Sequence, residues 1–183
     1  MTLTQTERAA RGGHEHDGAR RSWGEPRQRT ITWWDPSRPD DDAPRSGLEF
    51  LRAVRDGELA PPPMASVFGL RIVEVEHGRV VFQCEPDESA YNPLGVVHGG
   101  LVCTLADTVV GCAAHSTLPA GVAYTSIDLS VSYLRAVTAS SGVLRATGTV
   151  TKLGSRVIFA EAVITDGRGR DVATATSSLL VIA

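Results

Sequence analysis

An α+β fold, with an antiparallel β-sheet packed on a single long α-helix, is predicted for this 183-residue chain by three features of its sequence. Only one stretch, from about Gly99 to His115, is both long and apolar nearly all round, the pattern of a helix buried on most sides. One alternating apolar/polar segment and a second strand-like one precede it, and four strand-like segments follow it. Between several of these stand turn-forming residues suited to hairpins, namely His77-Gly78, Gly154-Ser155 and Gly167-Arg168-Gly169. A strand pair, one helix and then a run of strands is the order of an α+β architecture.

Taken from the start, residues 1 to about 45 are rich in Arg, Asp, Gly and Pro and poor in aliphatic side chains. Such a segment cannot bury enough apolar surface to offset the entropy of ordering it, so a flexible N-terminal extension is expected, with partial order around ITWWDP. Trp23, Trp33 and Trp34 are its exceptions. A single domain over residues 46–183 follows, opened by a short helix. Ser46 and Glu49 make the S-x-x-E capping box, and Leu48, Leu51 and Val54 give an apolar face. Gly57 and the run Pro61-Pro62-Pro63 end it. From Ser66 the pattern turns to strands, VFGLRIVEVEHG and RVVFQCEP. The loop YNPLGVVHGG feeds the long helix, and TSIDLSVSYL, GVLRATGTVTKLG, SRVIFAEAVITD and DVATATSSLLVI are the strands after it.

Composition excludes several functions. The net charge is −3 with no basic stripe carrying interleaved aromatics, so no nucleic-acid partner is expected. No apolar signal core opens the chain and no run of about 18 apolar residues occurs, so neither export nor a membrane association is expected. Cys84, Cys103 and Cys112 are odd in number and lack metal-type spacing, and they read as free thiols in a reducing, cytoplasmic setting. His14, His16, His77 and His115 have no partners at metal-ligand spacing, so no metal and no cofactor is expected. No G-x-S-x-G elbow is present, which argues against an α/β-hydrolase.

The long helix holds the candidate chemistry. Gly100, Thr104, Asp107 and Gly111 are spaced by four, three and four, so they share one small, polar face. An aspartate on so apolar a helix is costly unless paired, and it reads either as a structural acid held by a neighbour or as a reacting group. At the helix start, His98-Gly99-Gly100 offers unpaired backbone N–H groups, no side chain to block approach, and the positive end of the helix dipole. That environment suits the oxyanion of an acyl-transfer intermediate. Gly99 and Asp107 lie about 12 Å apart at roughly 1.5 Å per residue, too far to act together on one carbonyl within one chain. Two helices side by side and antiparallel would bring Gly99 of one chain near Asp107 of the other, which predicts a symmetric dimer with two shared sites.

Asn92-x5-His98-Gly99-Gly100, then Leu105-Ala106-Asp107, then Ser126-x-Asp128 entering a strand, resembles the PaaI-type, or phenylacetyl-CoA-thioesterase-like, hotdog family over about residues 60 to 182. The resemblance implies a sheet wrapped around the central helix, a homodimer with a continuous sheet or a dimer-of-dimers tetramer, and an acyl-CoA substrate. It implies that Asp107 is nucleophile or general base and that the Gly99 N–H polarises the thioester carbonyl. His98 would flank that carbonyl or order the loop, Asn92 would help place the water or the carbonyl, and Ser126 would assist the water. Lys152-Leu153-Gly154-Ser155-Arg156 matches the turn that receives the CoA phosphates, a task suited to Lys152 and Arg156 beside the Gly154-Ser155 turn. Ala136 after Arg135 departs from the proline the family often carries there.

Each motif residue also has a plain alternative. Asn92 before Pro93 is a good turn former, Ser126 an ordinary strand residue, and His98 a loop residue bonded to backbone. Cys103 and Cys112 lack a cationic neighbour and are not read as nucleophiles. The expected function is hydrolysis of a small aryl- or acyl-CoA thioester. A hotdog hydratase and a non-catalytic acyl-CoA binder are the alternatives, and Asp107 favours the hydrolase because a binder has no use for a carboxylate at the reacting carbon.

Overall fold

The structure is a computed structural model, and it describes residues 24–35 and 44–182. The extension expected up to residue 45 therefore lies mostly outside the described residues, Trp23 included. The chain divides into Met1–Thr30 and Ile31–Ala183. Residues 24–35 carry no helix or strand, and Trp33 and Trp34 are exposed.

Helix α1 spans Gly47–Asp56. Its capping box is formed as expected: the Glu49 N–H donates to Ser46 Oγ at 3.3 Å, and the Ser46 N–H donates to Glu49 Oε2 at 2.9 Å. Gly57, at φ 78°, closes the helix in the left-handed conformation. The proline run does more than stop this helix. Pro63 occupies the first position of a second one, α2, Pro63–Phe68, where a fixed φ is an advantage and the missing N–H costs nothing. The strand pattern thus begins at Arg71 rather than at Ser66, because the apolar spacing of Val67 and Phe68 serves a helical turn as well as a strand.

Strands β1 (Arg71–Glu76) and β2 (Arg79–Cys84) form the first hairpin. A 3-10 turn at Glu88–Ala90 and a loop closed by a Tyr91–Val97 bridge lead into helix α3, Gly99–His115. Then follow β3 (Ala123–Tyr133), β4 (Leu144–Leu153), β5 (Val157–Thr165) and β6 (Asp171–Ile182). All six strands pair antiparallel in the order β1-β2-β4-β5-β6-β3. The hairpins are those expected from sequence. The departure from simple neighbour pairing is β3, which lies beyond β6 at the far edge.

Helix α3 lies against the inner face of the sheet. Leu105, Ala106, Val109, Val110, Ala113 and Ala114 are buried against Val80, Leu144, Ala146, Ile158, Ile164 and Leu179. The helix approaches β4 closely at Gly148, where a Cβ would stand 2.4 Å from the Val109 carbonyl oxygen. Backbone cannot yield there as a side-chain tip can. Gly148→Ala is expected to cost about 1–3 kcal/mol, the range for overpacking a core, read as a lower melting temperature. The far end of the helix is tied down by Ser116, whose buried Oγ donates to the Ala113 carbonyl at 2.7 Å and accepts from the Gly78 N–H at 2.8 Å.

Candidate active site

Asp107 projects from the middle of α3 toward β3, where Ser126 Oγ donates to its Oδ1 at 2.9 Å. A bulge in β3 makes this contact. Ser126 stands opposite Leu179 and Asp128 opposite Ser178, with Ile127 as the extra residue. The bulge puts Ser126 on the helix side while Asp128 turns outward and accepts the Ser178 N–H at 2.9 Å. Ser126 therefore belongs to the site and Asp128 to the sheet. Asp107 itself is exposed in the single chain, so its surroundings are open where the apolar helix sequence led to an expectation of burial. Of the small polar stripe, Gly100 is exposed, Thr104 half-buried and bonded to the Gly100 carbonyl, and Gly111 buried beneath Tyr124.

Gly99 is the first residue of α3 and His98 is its N-cap. His98 Nδ1 accepts the Gly100 N–H at 2.8 Å, which leaves Nε2 as the ring's other hydrogen-bonding atom. The His98 carbonyl accepts from the Leu101 N–H at 3.0 Å. Among the described residues the Gly99 N–H has no hydrogen-bond partner, as the first position of a helix permits. Asn92 works on the loop before the helix: its Oδ1 accepts from the Leu94 N–H at 2.9 Å and the Val96 N–H at 3.4 Å. The turn-forming reading of Asn92 is thus realised, and its carbonyl oxygen is occupied.

A cavity of about 700 Å³ opens beside Asp107 and Ser126. It lies in the gap between the two edge strands, β1 and β3, with α3 as its floor and α1 and α2 as its roof. Phe50, Val54 and Met64 line the roof, and Thr108, Gly111 and Cys112 the floor. Tyr124 reaches across it, its hydroxyl 2.9 Å from where a Cβ on Gly111 would be, so the glycine makes room for the ring. Burial pushes the Tyr124 hydroxyl up, and it pushes the Cys112 thiol up to about 12, the Asp107 charge adding to both. Cys112 therefore stays a neutral thiol. The helices of the roof were missed as site elements in the sequence, because their apolar residues carry no chemical signature.

At the far end of the cavity, His115 lies between the rings of Phe50 and Tyr124, with centroids at 5.6 and 5.5 Å. Burial lowers its pKa. Protonation then favours the unfolded chain: the stabilisation is present above the unfolded histidine value of about 6.5 and is lost as pH falls through the lower folded value. Melting temperature followed from pH 7 downward should drop less steeply in His115→Leu than in the wild type.

The turn Lys152–Arg156 does not line this cavity. Lys152 and Arg156 are exposed, and Lys152 Nζ stands 6.0 Å above the Phe159 ring. Thr125 pairs with Leu180, and Leu180 with Val157, so the turn sits two strands across from the start of β3, about 10 Å away at the usual strand spacing.

Comparison with known proteins agrees with this fold. The model of the thioesterase superfamily matches residues 94–173, from the loop before α3 into β6. A protein of Halobacterium salinarum named as an esterase is 48% identical over 69 residues, 37% of this chain and 44% of that protein, so the match spans less than half of this relative. A 1,4-dihydroxy-2-naphthoyl-CoA hydrolase of Listeria monocytogenes is 27% identical over 103 residues, 56% of this chain and 82% of the hydrolase. Among solved structures, the PaaI protein of the E. coli phenylacetic acid degradation operon superposes with a TM-score of 0.66 at 24% identity, covering 75% of this chain and 96% of that one. A thioesterase-named, phenylacetic acid degradation-related protein of Ralstonia eutropha JMP134 gives 0.66 at 26%, covering 72% and 98%. A Streptococcus mutans protein bound to acetyl CoA gives 0.57 at 26%, covering 62% and 89%. The chain has the hotdog fold of these solved structures, and its similarity to the thioesterase superfamily covers residues 94–173, less than half of its length. Among the described residues no helix is long and apolar enough to cross a membrane.

Proposed function

We propose that this chain hydrolyses the thioester of a small aryl- or acyl-CoA, releasing a free acid and CoA, in sites shared between two copies, with residues 46–183 as the catalytic unit. The observation that carries this reading is the Asp107–Ser126 pair at a largely apolar cavity, on the same helix whose first N–H, that of Gly99, is unpaired among the described residues. The acyl group occupies the cavity between α3 and the roof helices. Asp107 attacks the carbonyl carbon, or takes the proton of the water that does, while Ser126 holds the carboxylate in place. The negative charge on the carbonyl oxygen meets the Gly99 N–H of the partner subunit at the positive end of its helix. The C–S bond then breaks and the CoA sulfur leaves, taking a proton from Asp107 in the general-base route or from solvent in the nucleophile route, where water then cleaves the acyl–Asp107 anhydride to give the free acid and restore the carboxylate. His98 orders the first turn and Asn92 the loop before it.

Support for the second copy comes from β3. It is an edge strand, its Ile127 and Tyr133 are exposed, and an unpaired edge recruits another strand. A β3-to-β3 contact continues the sheet and sets two α3 helices antiparallel. The acetyl CoA in the S. mutans relative and the naphthoyl-CoA hydrolase name support a CoA ester as substrate and leave room for an aryl acyl group. Lys152, Gly154, Ser155 and Arg156 form the exposed turn to which we assign the CoA phosphates.

A panel of aryl- and acyl-CoA esters with free-thiol detection tests the proposal. Thiol release with at least one ester is expected. Binding of the esters without thiol release would leave a non-catalytic binder, and hydration of an enoyl-CoA without thiol release would leave a hydratase.

A further inference from the structure

We infer that Tyr133 is a positioning residue for the oxyanion end of the site, acting through a hydrogen bond to the backbone of Gly99. This rests on the hydrolase reading above. Its hydroxyl donates to the Gly99 carbonyl at 3.1 Å, and its ring lies 3.1–3.3 Å from where a Cβ on Gly99 would stand. The carbonyl it holds and the N–H that His98 Nδ1 accepts belong to one peptide, Gly99–Gly100. That peptide is thus pinned at both ends by side chains. The preceding peptide, His98–Gly99, has its carbonyl held by Leu101 and its N–H free of any partner among the described residues. Two consecutive glycines have no side chains of their own to anchor them and the widest backbone freedom of any residues. Without the two pins, the direction of the Gly99 N–H would be set by the helix end alone.

The placement of Tyr133 on β3 gives the inference its second support. Ser126 and Tyr133 both sit on the helix side of this strand, opposite Leu179 and Ala173. Ser126 meets Asp107 and Tyr133 meets Gly99, so as strand numbers rise the helix numbers fall, and β3 runs antiparallel to α3. One edge strand therefore clamps the helix at both positions where chemistry is placed. Burial and the neighbouring Cys103 push the Tyr133 hydroxyl up, so it stays a donor across any ordinary assay pH.

The test is Tyr133→Phe, which removes the hydroxyl and keeps the ring. The expected result is a fall in kcat of about tenfold, a modest case of the losses that follow misplacement of reacting groups, with KM for the acyl-CoA changed less than threefold and melting temperature unchanged. Combined with His98→Ala, the loss should be well short of the product of the two single losses, because both release the same peptide. A kcat equal to the wild type, a loss confined to KM, or multiplicative losses would overturn the inference. Should Tyr133→Phe be insoluble, Tyr133→Leu takes its place, and insolubility of both would make the tyrosine a brace of the fold and end the inference. A wild-type protein that releases no thiol from any ester sinks the hydrolase reading itself, an outcome distinct from an active wild type matched by an equally active Tyr133→Phe.

Discussion

Asp107→Asn is expected to lower kcat by about 10²-fold or more, the scale of losing a positioned base, while the protein melts almost where the wild type does. The two halves of this expectation have separate causes. Asparagine has nearly the same shape as aspartate, and its carbonyl oxygen can still accept the Ser126 hydroxyl that now bonds Oδ1 at 2.9 Å. Asp107 is exposed in the single chain, so no buried charge is relieved and no cavity opens. Any change in stability should stay below about 1 kcal/mol, the net worth of one hydrogen bond. The anionic oxygen is lost, and with it both the nucleophile and the proton acceptor. A structural acid would give the reverse pattern, a lowered melting temperature with kcat intact in the folded fraction. Measuring kcat and thermal unfolding on one preparation decides between them.

How much of this site could be read from sequence depends on how local each signal is. The capping box of Ser46 and Glu49 lies within one helical turn and formed as expected. The same holds for α3, whose apolar length has no competing reading; of the two N–H groups expected to be unpaired at its start, that of Gly100 is taken by His98 Nδ1 at 2.8 Å, a local contact the triplet does not announce. Ser126 depended on more. Its contact with Asp107 needs the Ile127 bulge, and an alternating pattern does not announce which residue is the extra one. Pro63 misled because proline both ends a helix and opens the next, and only the following residues decide. The position of β3 at the far edge was not legible at all, since hairpin turns specify neighbours and β3 has no hairpin to β6. The cavity shares that fate. It is made by β1 and β3, distant in sequence and at opposite edges of the sheet, under helices whose residues are ordinary apolar ones. Gly111 was the one hint, a small residue in the helix stripe that proved to admit the Tyr124 ring.

Mixing two inactive variants should restore activity, and the size of the recovery tests whether sites are shared between chains. Gly99→Pro is suited to the purpose. Position 99 is the first residue of α3, where proline is favoured, and His98 before it already has φ −60° and ψ 133°, the extended conformation that a following proline requires. The nearest obstacle is the Tyr133 ring, 3.1 Å from the Cβ position, a half-exposed side chain that can move aside. The fold should survive, and what disappears is the unpaired N–H. Homodimers of Gly99→Pro and of Asp107→Asn should both be nearly inactive. In a mixed dimer, if each site takes Asp107 from one chain and Gly99 from the other, one site collects both defects and the second is intact. Random exchange of equal amounts gives mixed dimers as half of the population, each with one good site of two, so about a quarter of wild-type activity is expected under this closed two-fold arrangement. If both groups served a site within their own chain, every site in the mixture would carry one defect and no activity would return. Subunit exchange proven by mass, with thiol release no greater than in the separate variants, would rule out the shared site and require one helix to bring its first residue and its middle to the same carbonyl, against the roughly 12 Å between Gly99 and Asp107.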